Sequence, residues 1–147
     1  MSMEKQPNQK ERVLTWDEVM MAVELLAKKL PVDKYRYLWG LPRNGLILAG
    51  LLAHQRPDLK ILTSSPLTPG AKMFNVPVYV SKFVTYAGCL PLIIDDIHDS
   101  GEAAREWILE GFPFATLFWR KKDPQNSPTY FIETVEDESW LRFPWEK

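Results

Sequence analysis

The sequence predicts an α/β domain built on a largely parallel sheet. Two observations carry that reading. Short β-branched and aromatic runs alternate with stretches of helical periodicity, and one run, Leu90-Pro91-Leu92-Ile93-Ile94, contains no polar residue to turn toward water. Strands that alternate with helices return as crossovers onto a parallel sheet. A strand covered on both faces reads as an unbroken apolar run rather than an alternating one.

At 147 residues the chain fits one domain, enough to bury roughly 70% of its unfolded surface. Hydrophobic residues are 46% and charged residues 25%, which places nearly all of the length outside disordered compositions. Lys and Arg number 18 against 19 Asp and Glu, a net charge of -1, so there is no overall electrostatic footprint for nucleic acid. The single Cys89 cannot close an intramolecular disulfide and is expected as a buried structural thiol. With only His54 and His98 beside it, a zinc site is not expected. The longest apolar run, Leu46 to Ala53, is broken by Gly50 and too short to span a bilayer. The expected protein is cytoplasmic, with no membrane or nucleic-acid partner.

Taken in order, residues 1–12 are polar and read as a loose tail. Thr15-Trp16-Asp17-Glu18 has capping-box spacing. Val19, Ala22, Val23, Leu26 and Leu30 then recur at helical spacing until Pro31. Tyr35–Leu41 reads as a strand, Pro42-Arg43-Asn44-Gly45 as a turn, and Leu46–Ala53 as a second helix. Leu59–Thr63 is a short strand, Ser64–Ala71 a Ser/Pro/Gly loop, and Val76–Val84 an alternating strand that Pro77 assigns to an edge. After Leu90–Ile94, residues Asp95–Gly101 read as a turn and Glu102–Leu109 as a helix. Ala115–Trp119 and Thr129–Ile132 complete the strands.

The chemistry is concentrated in Leu92-Ile93-Ile94-Asp95-Asp96-Ile97-His98-Asp99-Ser100-Gly101-Glu102-Ala103. A buried strand delivers two adjacent carboxylates to the carboxyl edge of the sheet, where ligands of open α/β sheets bind. The following turn opens a helix whose free N–H groups, beside a glycine, can cradle a phosphate. The carboxylate pair can accept hydrogen bonds from sugar hydroxyls and hold Mg²⁺, a cation that takes oxygen ligands and keeps waters. Capping alone explains one aspartate here, not three within five residues. His98 reads as an exposed spacer, and Trp107, Trp119 and Trp145 as packing.

This stretch resembles the phosphoribosyl pyrophosphate (PRPP) signature of type I phosphoribosyltransferases: an apolar strand, two acids, two spacers, then Asp-Thr-Gly-x-Thr. The resemblance extends along the chain. Leu14-Thr15-Trp16-Asp17 is similar to the start of bacterial xanthine-guanine enzymes, and Arg43-Asn44-Gly45-Leu46 to their Arg-Gly-Gly-Leu pyrophosphate loop, which often contains a cis peptide. Ala115-Thr116-Leu117-Phe118-Trp119-Arg120 is similar to the strand whose final lysine meets purine O6. Ser139-Trp140-Leu141-Arg142-Phe143-Pro144-Trp145-Glu146 is similar to the C-terminal hood.

The resemblance implies one domain over residues 1–147 with a hood over about 120–147. It implies transfer of ribose 5-phosphate from PRPP to a 6-oxopurine (guanine, xanthine or hypoxanthine) with Mg²⁺, in a homodimer or homotetramer. Asp95 and Asp96 would hold the ribose diol and metal, and Asp99 would face purine N7 as general base. Ser100, Gly101, Glu102 and Ala103 would complete the 5′-phosphate grip begun by Asp99, and Arg43, Asn44 and Gly45 would meet pyrophosphate. Trp140 and Ile97 would sandwich the base near Leu141, with Arg120 or Lys121 reaching its 6-oxo group. Three positions depart from the pattern: Ser100 keeps a hydroxyl where threonine is usual, Ala103 lacks one, and Asn44 replaces a glycine. These departures motivate an alternative, a weak or inactive member that senses or sequesters PRPP or a purine nucleotide. No lid motif is found in Ser64–Val84.

Overall fold

The computed structural model describes residues 5–62, 88–122 and 124–147. The chain threads β1 (Glu11–Val13), α1 (Trp16–Lys29), β2 (Tyr37–Gly40), α2 (Asn44–Gln55) and β3 (Lys60–Ile61). It continues through β4 (Leu92–His98), α3 (Glu102–Leu109), β5 (Phe114–Trp119), a 3₁₀ turn at Pro124–Asn126, β6 (Glu133–Thr134) and β7 (Trp140–Arg142). Among the described residues five strands form one sheet in the order β3-β2-β4-β5-β6, and every pairing described in it is parallel. The expected α/β architecture, a parallel sheet flanked by helices, is what the chain adopts.

The unbroken apolar run of β4 is explained by its central place. Leu92 and Ile94 face a core cluster with Val19, Val23 and Leu26 of α1 and Leu48 and Leu52 of α2. Ile93, pointing the opposite way as strand alternation requires, joins Ala104 and Trp107 of α3 with Phe112 and Phe114. Helix α1 starts where its capping box demands. Glu18 N donates to Thr15 Oγ1 at 3.2 Å, and Thr15 N donates back to Glu18 Oε2 at 2.7 Å.

Several boundaries differ from the sequence reading. Strand β4 does not stop at Ile94: Asp95 pairs with Thr116, Ile97 with Phe118 and His98 with Trp119. Cross-strand bonding to β5 carries the ladder through residues of low strand propensity. His98 is therefore buried, 3% exposed, with its ring 5.6 Å from that of Phe114. Helix α2 begins at Asn44 instead of Leu46. The last sheet strand is Glu133–Thr134, and of the expected Thr129–Ile132 only Tyr130 bridges Ala115. Cys89 is half-buried.

Part of the expected N-terminal tail is structured. Strand β1 pairs with β7 in a separate parallel ribbon, Glu11 opposite Trp140 and Val13 opposite Arg142. The expected loop at Ser64–Ala71 and strand at Val76–Val84 lie outside the described residues. Among the described residues no helix is long and apolar enough to cross a membrane.

Candidate functional site

Because the sheet is parallel, the segments after β2, β4 and β5 leave at one edge, its carboxyl edge. The first is Leu41–Arg43, where the Pro42–Arg43 peptide is cis. Leu41 N donates to Ile94 O at 2.9 Å, which docks this turn on β4. Two glycines permit the approach. A Cβ on Gly40 would lie 2.5 Å from Gly45 O, and one on Gly45 would strike Ile94 O and crowd Asp95 at 3.3 Å. Arg43 is exposed at the start of α2, while Asn44 turns inward to the carboxylates.

Asp95 and Asp96 occupy the second half of β4. Asp96 is 6% exposed. Burial, then the adjacent Asp96 charge, holds the Asp95 carboxyl well above the usual carboxylate range. Burial also raises Asp96, against hydrogen bonds from Asp95, Asn44 and Ile97 N that favour its anion. Two adjacent buried carboxylates of suppressed acidity offer hard oxygen donors that a cation can charge-neutralise. This donor set fits Mg²⁺, which needs only one or two protein carboxylates. Among the described residues no three His, Cys, Asp or Glu side chains gather as a closed metal cage.

The turn after β4 holds Asp99, Ser100 and Gly101. Gly101 has φ 83, the left-handed region open to glycine, and precedes the first turn of α3, where Glu102 and Ala103 lie. Ser100 Oγ sits 3.4 Å from Glu102 N. Asp99 meets the third segment. Its Oδ2 is 3.2 Å from Arg120 Nε, and its Oδ1 is 2.9 Å from Lys122 Nζ. The Arg120 guanidinium is itself fastened to the C-terminal segment, donating to Asp137 O at 2.5 Å and to Ser139 O. Lys122 also pairs with Glu138 at 3.1 Å.

The expected site residues thus divide. Asn44, Gly45, Asp95 and Asp96 form one contiguous group, and Asp99 and Arg120 another on the same edge. Lys121 stays outside: it is exposed, with φ 55, and its ammonium lies 5.7 Å from the Trp119 ring centre. Trp140 is half-buried in β7, whereas Leu141 points into the main core, against which Ile97 also packs. Sequence reasoning missed Lys122 and gave no role to Glu146. Lys122 lies past the end of β5, beyond the left-handed Lys121, so no strand periodicity signalled it. An open hollow lined by Lys34, Tyr35, Cys89, Phe112 and Pro113 lies at the opposite, amino edge and contains none of these carboxylates.

No protein-family model matches the chain. It is similar to the xanthine-guanine phosphoribosyltransferase of Vibrio vulnificus, 26% identical over 138 residues that cover 91% of this chain and 88% of the relative. The crystal structure of a purine phosphoribosyltransferase from Pyrococcus horikoshii superposes with a TM-score of 0.66 at 25% identity, covering 93% of this chain and 95% of that one. A Neisseria gonorrhoeae protein crystallised with bound ppGpp shares the fold, with a TM-score of 0.67 at 21% identity over 97% of this chain and 92% of its own. The ordered sequence segments, the parallel sheet and these matches converge: the chain has the fold of the purine phosphoribosyltransferases and is similar in sequence to their xanthine-guanine members.

Proposed function

We propose that this protein transfers ribose 5-phosphate from PRPP to N9 of a 6-oxopurine (guanine, xanthine or hypoxanthine), releasing pyrophosphate. The observation that carries the reading is the juxtaposition, on one strand and its turn, of an adjacent carboxylate pair, half-buried at Asp95 and buried at Asp96, and a third carboxylate held by two cations. Asp95 and Asp96 accept hydrogen bonds from the ribose hydroxyls and fix the sugar. The turn from Asp99 to Ala103 receives the 5′-phosphate, with Gly101 admitting it and Ser100, Glu102 and Ala103 contributing backbone N–H groups. The segment Arg43, Asn44 and Gly45 faces the departing pyrophosphate, where the Arg43 guanidinium balances developing charge. Mg²⁺, when bound at Asp95 and Asp96, supplies further neutralisation of that charge.

Asp99 takes or orients the proton at N7 as the base is ribosylated. Trp140 stacks on the base, which Ile97 closes from the other side near Leu141. Arg120 and Lys122 hold Asp99 in place, and the cation that meets the 6-oxo group comes from this pair and not from Lys121, which lies outside the site. Exposed Met21 and Leu25 on α1 and Leu46 and Ile47 on α2 support assembly as a homodimer or homotetramer.

The deciding experiment is a turnover assay with PRPP, Mg²⁺ and each of the three bases. Pyrophosphate release with at least one base is expected. A second reading, a nucleotide-binding protein without turnover, is favoured by the missing hydroxyl at Ala103, and the same fold accommodates ppGpp in the N. gonorrhoeae protein. Binding of a purine nucleotide with no turnover of any base would establish that second reading instead.

A further inference from the structure

Asn44 stands where the related pyrophosphate loops carry glycine, and its side chain is fully used. An amide nitrogen has two hydrogens. One points to Asp96 Oδ2 at 2.8 Å and the other to Glu146 Oε1 at 3.0 Å. The opposite amide orientation would set its oxygen against two carboxylate oxygens, so the acceptors themselves fix which way the group faces. Glycine could make neither bond.

Glu146 is in turn anchored. Its Oε2 accepts from Phe143 N at 2.9 Å, and its own N donates to Phe143 O at 3.0 Å. Between them Trp145 stacks on Phe143 at 4.9 Å and leans on Trp16 of α1 at 5.8 Å, while Phe143 meets Phe118 of β5 edge-on. The C-terminal segment is thereby clamped on the body at a point from which one carboxylate reaches back to the sheet edge.

We infer that Glu146 is a positioning residue: through the Asn44 amide it orients the Asp96 carboxylate, so that seating of the C-terminal segment and the shape of the ribose site are one event. The consequence for PRPP rests on the reading of Asp96 given above; the link among the three side chains does not.

Two measurements test it. The first is calorimetric titration of PRPP with Mg²⁺ into the wild type, Asn44→Ala, Glu146→Ala, the double variant and Glu146→Gln. Each alanine should weaken PRPP by about fivefold to tenfold, as loss of a hydrogen bond that orients a charged group does. The double variant should be no worse than the poorer single, because both remove one chain of contacts. Glu146→Gln has one amide oxygen for two donors, Asn44 Nδ2 and Phe143 N, so its affinity should fall between those of the wild type and Glu146→Ala. Losses that multiply in the double variant, or alanine variants that bind PRPP as tightly as the wild type, would overturn the inference.

The second measurement needs no ligand. Hydrogen exchange at the Phe143 amide, which Glu146 Oε2 protects, should accelerate in Asn44→Ala, and unchanged exchange there would also overturn it. Wild-type protein that fails to bind PRPP, combined with accelerated exchange in Asn44→Ala, would uphold the link and remove the phosphoribosyl reading instead.

Discussion

Asp99 is contacted by two cations that differ in their freedom. Arg120, 9% exposed, spends its remaining donors on the carbonyls of Asp137 and Ser139, whereas the Lys122 side chain is 39% exposed and shared with Glu138. Arg120→Ala would strand those carbonyls as well as Asp99. The expected loss is about 2–3 kcal/mol, read as a lower urea midpoint. At Asp99 itself the test is chemical. Asp99→Asn keeps shape and hydrogen bonding but removes the basic oxygen, and turnover should fall at least about a hundredfold with PRPP affinity little changed. The Asp95–Asp96 pair gives a prediction of opposite sign for stability. The native Asp95 carboxyl holds its proton to higher pH than the unfolded one. Above the ordinary carboxylate range the unfolded chain therefore binds fewer protons, and stability falls as pH rises toward the native value. Asp95→Asn, which removes that titration, should raise the ligand-free Tm at neutral pH. That gain should shrink as pH falls and vanish only below the ordinary carboxylate range, where the wild-type carboxyl is protonated in both states. A Tm difference that stays constant across this range would refute the assignment of burial as the cause.

Among the elements, β2, α2 and β4 meet with almost no space between them. Gly45 lies against Ile94 O and Asp95, so Gly45→Ala must push α2 off the strand that carries the carboxylates. Overpacking of this kind costs about 1–3 kcal/mol. Here it should also weaken PRPP, seen as a raised KM together with a lower melting temperature. The same elements show what the sequence made legible. Helix α1 is determined within itself, by the Thr15–Glu18 box and five apolar positions on one face, and its limits agree with the reading to within a residue. Strand β4 is different. Its first half is announced by Leu92–Ile94, but Asp95 to His98 extend only because β5 lies alongside, a long-range pairing that local propensity does not encode. Helix α2 starts early for a related reason: Asn44 and Gly45 have turn-like composition, and it is the docking on Ile94 and Asp96 that accommodates them as its first residues.

Over the whole molecule, the carboxyl edge of the sheet could be located from sequence because motif and strand order are linked by topology. Asp95 and Asp96 in the second half of β4, and Asp99 in the turn after it, are brought to that edge by the apolar run that precedes them. What could not be read were contacts joining distant segments: Lys122 with Asp99, Arg120 with the carbonyls of Asp137 and Ser139, and Asn44 with Glu146. Backbone acceptors leave no mark on composition, and an acidic residue near the C-terminus resembles any solvated charge. The ribbon of β1 and β7 belongs to the same class, and it bears on how the protein is made. Gln9 Nε2 donates to Glu138 O across 129 positions, and among the described residues the strand partner of Glu11–Val13 is Trp140–Arg142. During synthesis the chain emerges from its N-terminus at roughly 5–20 residues per second. For most of that time β1 must wait as an unpaired strand while the layers of α1, α2 and β4 assemble behind it. The ribbon that carries Trp140 is then the last part of the molecule to acquire its shape, after every strand of the main sheet has been made.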